Sequence, residues 1–245
     1  MGANLMKASN PSERWIHMVI MILDISGGAF ALLLFFSTDA AVDPIAGAIV
    51  RMMMGLVLLW CVLGGLLMFR FRDAIRKQVQ RIQLDWRITF VLFCTALALM
   101  EEGGTTSMTN LAPLFGVQMG EAAITASPNY LEVVLFHSVV VFIPMFIAWA
   151  LMLWRWRFSA SAVFLLFGLS GTLGESIAFG PQNLIGLGFW VFVYGLMVYL
   201  PAYSIPEART ARPPRWYHYP LALILPTLAS IPVAIIILML RGPGA

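Results

Sequence analysis

Glu101 and Glu102 close the apolar run ITFVLFCTALALM and open onto Gly103-Gly104-Thr105-Thr106. Carboxyls in that position suit two kinds of chemistry, holding a proton or ligating a hard cation. Four more ionisable residues stand in apolar surroundings: Asp24, Arg51, His137 and Glu175. The stretch EGGTTSMTNL from Glu102 also echoes ESIAFGPQNL from Glu175. In each, a Glu is followed eight residues later by Asn and then Leu, which adds Asn110 and Asn183 as neutral oxygen donors. Such a pair of stretches reads as two related hairpins whose helices stop early, a pattern that points to binding sites in membranes.

The elements that must carry these groups follow from composition. Of 245 residues, 60% are hydrophobic and 11% charged, too little polar surface for a soluble domain. A bilayer crossing takes about 20 apolar residues, and seven stretches qualify: 15–36, 45–69, 87–102, 131–154, 158–176, 184–204 and 217–240. The third and fifth are short, each ending in Glu and Gly. Lys7 and Arg14, the link 70–87, the pair Arg155 and Arg157, and the trio Arg209, Arg212 and Arg215 hold 13 of the 15 basic residues. The intervening connections hold Asp39, Asp43 and Glu121. Basic residues mark the cytoplasmic side. The expected fold is therefore an all-α polytopic membrane protein of about seven helices, N-terminus inside and C-terminus outside.

The corresponding domain plan is a cytoplasmic segment 1–14 and a single helical domain 15–241. It includes the basic link 70–87 and an extracytoplasmic loop 103–130. The net charge of +3 is then a topology signal, and nucleic acid is not an expected partner. The link 70–87 places Ile75, Val79, Ile82 and Trp86 on one helical face. It reads as an interfacial helix on an anionic leaflet or a straight extension of the second span, with a partner-binding helix as the alternative. Trp15, Trp154, Trp156, Trp216, Tyr203, Tyr217 and Tyr219 read as interface anchors. Pro220, Pro226 and Pro232 predict kinks in the last span.

Depth brings the candidates together. At about 1.5 Å per residue, Glu101, Glu102, His137, Glu175 and Arg51 all fall about 21–27 Å above the inner edge, in the outer third of a core about 30 Å thick. An ionised group facing lipid costs about 3 kcal/mol or more, so such groups turn toward protein or water. The expectation is a polar pocket opening outward, in which a proton or bound cation balances three carboxylates against one Arg and one His. Asp24, about 13 Å up, is either a neutral hydrogen-bonding group or a relay below the pocket. The competing reading puts Glu101 and Glu102 in a solvated loop.

Several chemistries fit less well. Gly168-Leu169-Ser170-Gly171 resembles the GxSG of rhomboid proteases over four residues, but the only later histidine, His218, sits about 18 Å from Ser170 in depth. The small residues of GLSGTLG read instead as a close helix-packing face. His17 and His218 are interfacial rather than haem ligands, and a retinal Schiff base has no lysine inside the bundle, since the only lysines are Lys7 and Lys77. The chain has no HExxH, Walker loop or CxxC, and Cys61 and Cys94 suggest no disulfide. Met6 stands where a myristoylation signal needs Ser or Thr. The first apolar run, which contains Asp24, is too long for a cleaved signal.

Three functions remain. The first is proton- or cation-linked transport of a small solute across the cell (plasma) membrane. Glu102 and Glu175 would couple, Arg51 neutralise, and His137 tune. The second is an enzyme acting on a lipid or quinone at the outer leaflet, with Glu102, His137 and Glu175 as acid–base groups or as ligands for iron, manganese or zinc. The third is a structural subunit of a larger membrane complex. Membrane lipids, a solute, ion or lipid substrate, and self-association or complex partners are the expected partners. A bound cation is the only cofactor suggested.

Overall fold

The computed structural model describes residues 11–241, leaving most of the expected 1–14 segment, Lys7 included, outside the described residues. Nine α-helices are described: α1 (Pro11–Ser37), α2 (Pro44–Leu56), α3 (Gly65–Val79), α4 (Trp86–Asn110), α5 (Tyr130–Phe136), α6 (Val139–Arg155), α7 (Ala160–Phe179), α8 (Leu187–Tyr203) and α9 (His218–Arg241). A π-helical segment, Val57–Gly64, joins α2 to α3. No strand occurs among the described residues. Five stretches are long and apolar enough to cross a membrane: Glu13–Ser37, Pro44–Val79, Trp86–Asn110, Ala160–Ile177 and His218–Leu240. The α5–α6 pair makes a sixth if its 44° bend lies within one crossing, while α8 is apolar but only 17 residues long.

Local chemistry sets the helix starts. Asp43 caps α2 by accepting from the Ala46 amide at 2.9 Å, with Pro44 in the first turn, where no amide partner is needed. Asp85 caps α4, Asn129 caps α5 through the Leu131 and Glu132 amides, and Ser159 caps α7. From Pro44 to Val79 the chain is one 36-residue rod, about 54 Å long and so longer than a bilayer core. The link 70–87 is thus a straight extension of the second span as far as Val79. Gln80 ends that helix, so Ile82 and Trp86 leave the face shared by Ile75 and Val79.

Two expectations about helix ends change. The third span does not stop at Glu102, because α4 continues to Asn110 and the connection is 111–129 rather than 103–130. The Thr105 and Ser107 hydroxyls bond back to the carbonyls of Glu101 and Gly103 at 2.8 and 2.6 Å, and packing overrides the poor helix propensity of Gly103-Gly104. The two echoing stretches are therefore not alike. α7 does stop, at Phe179, where Gly180 adopts a positive φ of 108° and a short 3-10 turn, Pro181–Leu184, follows. α9 is continuous through Pro226 and Pro232, and Pro220 falls in its first turn.

The most intimate helix pair is α7 with α8. A Cβ built on Gly195 would meet the Phe164 ring at 2.7 Å, and one on Gly171 the Tyr194 ring at 2.5 Å. The small residues of GLSGTLG are a packing face. Trp149, Phe146, Phe167, Met197 and Val191 fill the centre of the bundle. The basic connections gather at one end. There Arg76 pairs with Glu207 at 2.8 Å, Gln80 donates to the Ser204 carbonyl at 3.1 Å, the Arg157 amide donates to the Arg212 carbonyl at 2.7 Å, and the Arg212 amide donates to the Arg155 carbonyl at 3.1 Å. The connections 38–43 and 111–129 lie at the other end with Asp39, Asp43 and Glu121. Among the anchors, Trp15, Trp154, Trp216 and Tyr217 are exposed, whereas Trp156 packs on His218 with ring centroids 4.4 Å apart.

Candidate functional site

Glu101 and Glu102 sit two-thirds of the way along α4, not in a loop, and are 4% and 8% exposed. Adjacent residues diverge by about 100° on a helix, and these two have different neighbours. The Glu101 carboxylate Oε1 accepts from the Thr105 hydroxyl at 2.9 Å. Glu102 faces Ser138, which starts α6 just after the bend, and lies near the Tyr130 phenol. Tyr130 donates to the Leu99 carbonyl at 3.0 Å, binding α5 to α4.

Glu175, half-buried on α7, joins this place from the opposite side. The Tyr194 hydroxyl of α8 donates to its Oε1. The three carboxyls lie within electrostatic range of one another, and buried Tyr194 lies within range of all three. One turn beyond Glu102 on the same face, the buried Thr106 hydroxyl has no hydrogen-bond partner. The arrangement is a carboxyl–phenol–hydroxyl cluster spread over α4, α7, α8 and the start of α6.

The other sequence candidates are distributed differently. His137 is half-buried at the C-terminal end of α5, at the bend between α5 and α6, one residue before Ser138. Arg51 is exposed and donates to the Phe115 carbonyl at 3.4 Å, in the 111–129 connection. Asn110 donates to the Pro128 carbonyl at 3.0 Å, in the same connection. Asp24 is exposed on α1 and lines a cavity bordered by Cys61 and Arg72. Asn183 lies in the 3-10 turn after α7, and its side chain is outside the described residues. Among the described residues no three of His, Cys, Asp and Glu converge to hold a metal ion. Glu102, His137 and Glu175 do not form such a group. The Tyr194 hydroxyl occupies Glu175, and Ser138 stands before Glu102.

A cavity also adjoins the cluster. A cavity of about 810 Å³ reaches Glu101 from the side, between the rod, α4 and α8. Leu59, Leu63, Leu67 and Met100, exposed apolar side chains, form its rim. Trp60, buried on the π segment, donates from Nε1 to the Val193 carbonyl at 3.0 Å and fixes this wall to α8. π segments recur at functional sites, and this one lines the cavity with Leu59, Trp60, Leu63 and Gly64.

Tyr194, Thr105, Ser138 and Tyr130 were not among the sequence candidates. Thr105 was recoverable from its position four residues after Glu101, where a hydroxyl bonds back along a helix. The others join the cluster only through folding. Ser170 offers no nucleophile–base pair: its hydroxyl donates to the carbonyls of Leu166 and Leu223 at 2.9 and 3.2 Å. His218 Nδ1 instead accepts from the Arg215 amide at 2.7 Å. Comparison with family models, curated proteins and solved structures finds no match for this chain.

Proposed function

We propose that this chain is a seven-pass integral membrane protein of the cell membrane, with its basic end cytoplasmic, that links movement of a small solute to proton or cation exchange at Glu101, Glu102 and Glu175. The observation that carries the reading is the burial of two α4 carboxyls within electrostatic range of a third on α7, itself bonded to Tyr194. An apolar setting makes loss or gain of charge there energetically large, which is what coupling needs. Glu102 and Glu175 exchange the proton or cation, Tyr194 and Ser138 hand it on, and His137 adjusts the balance from the α5–α6 bend. Arg51 and Asn110 hold the 111–129 connection in place, and Asp24 belongs to a separate cavity.

The test is proton uptake by proteoliposomes on addition of candidate solutes. Solute-dependent uptake by the unaltered protein, abolished in Glu175→Gln and in Glu102→Gln, supports the reading. Full uptake by both variants overturns it.

The lateral cavity favours a second reading, an enzyme whose lipid or quinone substrate enters from the bilayer and meets Glu101, with Glu175 and His137 as further acid–base groups. Turnover of a lipid or quinone in detergent, where no gradient exists, would select this reading over transport.

A further inference from the structure

A second cavity, of about 690 Å³, lies on another face of the same π segment, between α1, α3 and α8. Its volume falls within the roughly 300–1,000 Å³ of ligand pockets. Ile20, Val57, Leu66, Phe164, Phe189 and Phe192 supply apolar walls. Close approach of α1 and α8 bounds it, since a Cβ on Gly27 would stand 2.7 Å from the Gly188 backbone carbon.

Polar groups are segregated along this cavity. Arg72, Tyr199, His17 and Ser161 line it and belong to the basic end of the bundle. The Arg72 guanidinium donates to the Tyr199 hydroxyl at 3.5 Å and lies over the Phe69 and Tyr203 rings at 4.3 and 5.3 Å. No carboxylate hydrogen-bonds it among the described residues, though Asp73 lies within electrostatic range. The neighbouring Asp73 carboxylate already accepts from the Tyr203 hydroxyl at 2.6 Å. His17 Nε2 and the Ser161 hydroxyl share a hydrogen bond of 3.0 Å. Asp24, the group of opposite sign, lies two turns along α1 from His17, about 10 Å away, and would repel an anion from the deeper part.

We infer that this cavity holds one anionic phospholipid from the leaflet of the basic end. Its phosphate sits on Arg72 with the Tyr199 hydroxyl and His17 beside it, and an acyl chain lies along the apolar walls. Basic pockets between spans on the cytoplasmic side recognise anionic headgroups in this way. The apolar walls select a lipid over free phosphate, and Asp24 fixes which end the headgroup takes. This site is independent of the Glu101–Glu102–Glu175 cluster.

The test is native mass spectrometry of the full chain in mild detergent, loaded with equal phosphatidylglycerol and phosphatidylcholine of identical chains. One phosphatidylglycerol retained per chain in preference to phosphatidylcholine supports the inference. In Arg72→Gln that preference should fall about fivefold, the worth of one basic contact, and Arg72→Lys should restore part of it. Arg81→Gln, in the turn beyond α3, should leave it unchanged. Gly65→Leu, which extends into the cavity from a wall residue, should lower retention of both lipids. Equal retention of the two lipids by the unaltered protein, or undiminished preference in Arg72→Gln, overturns it.

Discussion

At the scale of single residues, the hydrogen bond from Tyr194 to Glu175 joins two helices through one polar contact in an apolar interior. Tyr194→Phe keeps the ring and removes the donor. Loss of a hydrogen bond to a carboxyl of this kind should lower stability by about 1–3 kcal/mol, measurable as a reduced unfolding temperature in detergent. Solute-linked proton uptake should fall with it. An unchanged unfolding temperature would mean that Glu175 finds another partner at no cost. Asp85 supplies a pH-dependent prediction outside the apolar segments. Bonds from the Arg87 side chain, and then from its amide, hold the Asp85 carboxyl at about 2 rather than 3.8. A depressed folded value means stabilisation that is complete above the unfolded value and lost as pH falls through the folded one. Protection of the Thr89 amide, whose N–H bonds the Asp85 carbonyl, relative to its intrinsic exchange rate at each pH, should therefore fall between about pH 4 and pH 2. In Asp85→Asn that fall in protection should vanish.

At the scale of elements, two adjacent glycines of α1 make opposite predictions. A Cβ on Gly27 would collide with backbone atoms of Gly188 and Phe189 at 2.7 Å, whereas one on Gly28 would meet nothing within 4 Å. Backbone cannot yield as a flexible side chain does, so Gly27→Ala should destabilise by about 1–3 kcal/mol. Gly28→Ala should stabilise by up to about 1 kcal/mol through helix propensity. Thermal unfolding of the two variants side by side checks both signs, and equal effects would refute the close α1–α8 crossing. The same scale explains the misread end of α4. Propensity argued for a stop at Gly103-Gly104, but hydroxyl back-bonds and packing against Leu56 and Leu59 carry the helix on.

At the scale of the whole molecule, basic and acidic connections occupy opposite ends, which makes topology testable. With Cys61 and Cys94 replaced, a cysteine at Arg81 should react with an impermeant maleimide only after the inner face is opened, and one at Gln118 without opening. The reverse pattern would invert the bundle. Residue types and their order sufficed for the helical class, the long apolar stretches and the grouping of basic connections. Those features depend on local composition and on the cost of charge in hydrocarbon, both properties of short segments. The rotation of each helix and the identity of its neighbours decided the rest. Tyr194 and Ser138 entered the cluster, Arg51 and Asn110 turned to the 111–129 connection, and Glu101 lines a cavity between the rod, α4 and α8. Such contacts join residues far apart in the chain, and a periodicity shared by every apolar helix carries no information about which faces will meet.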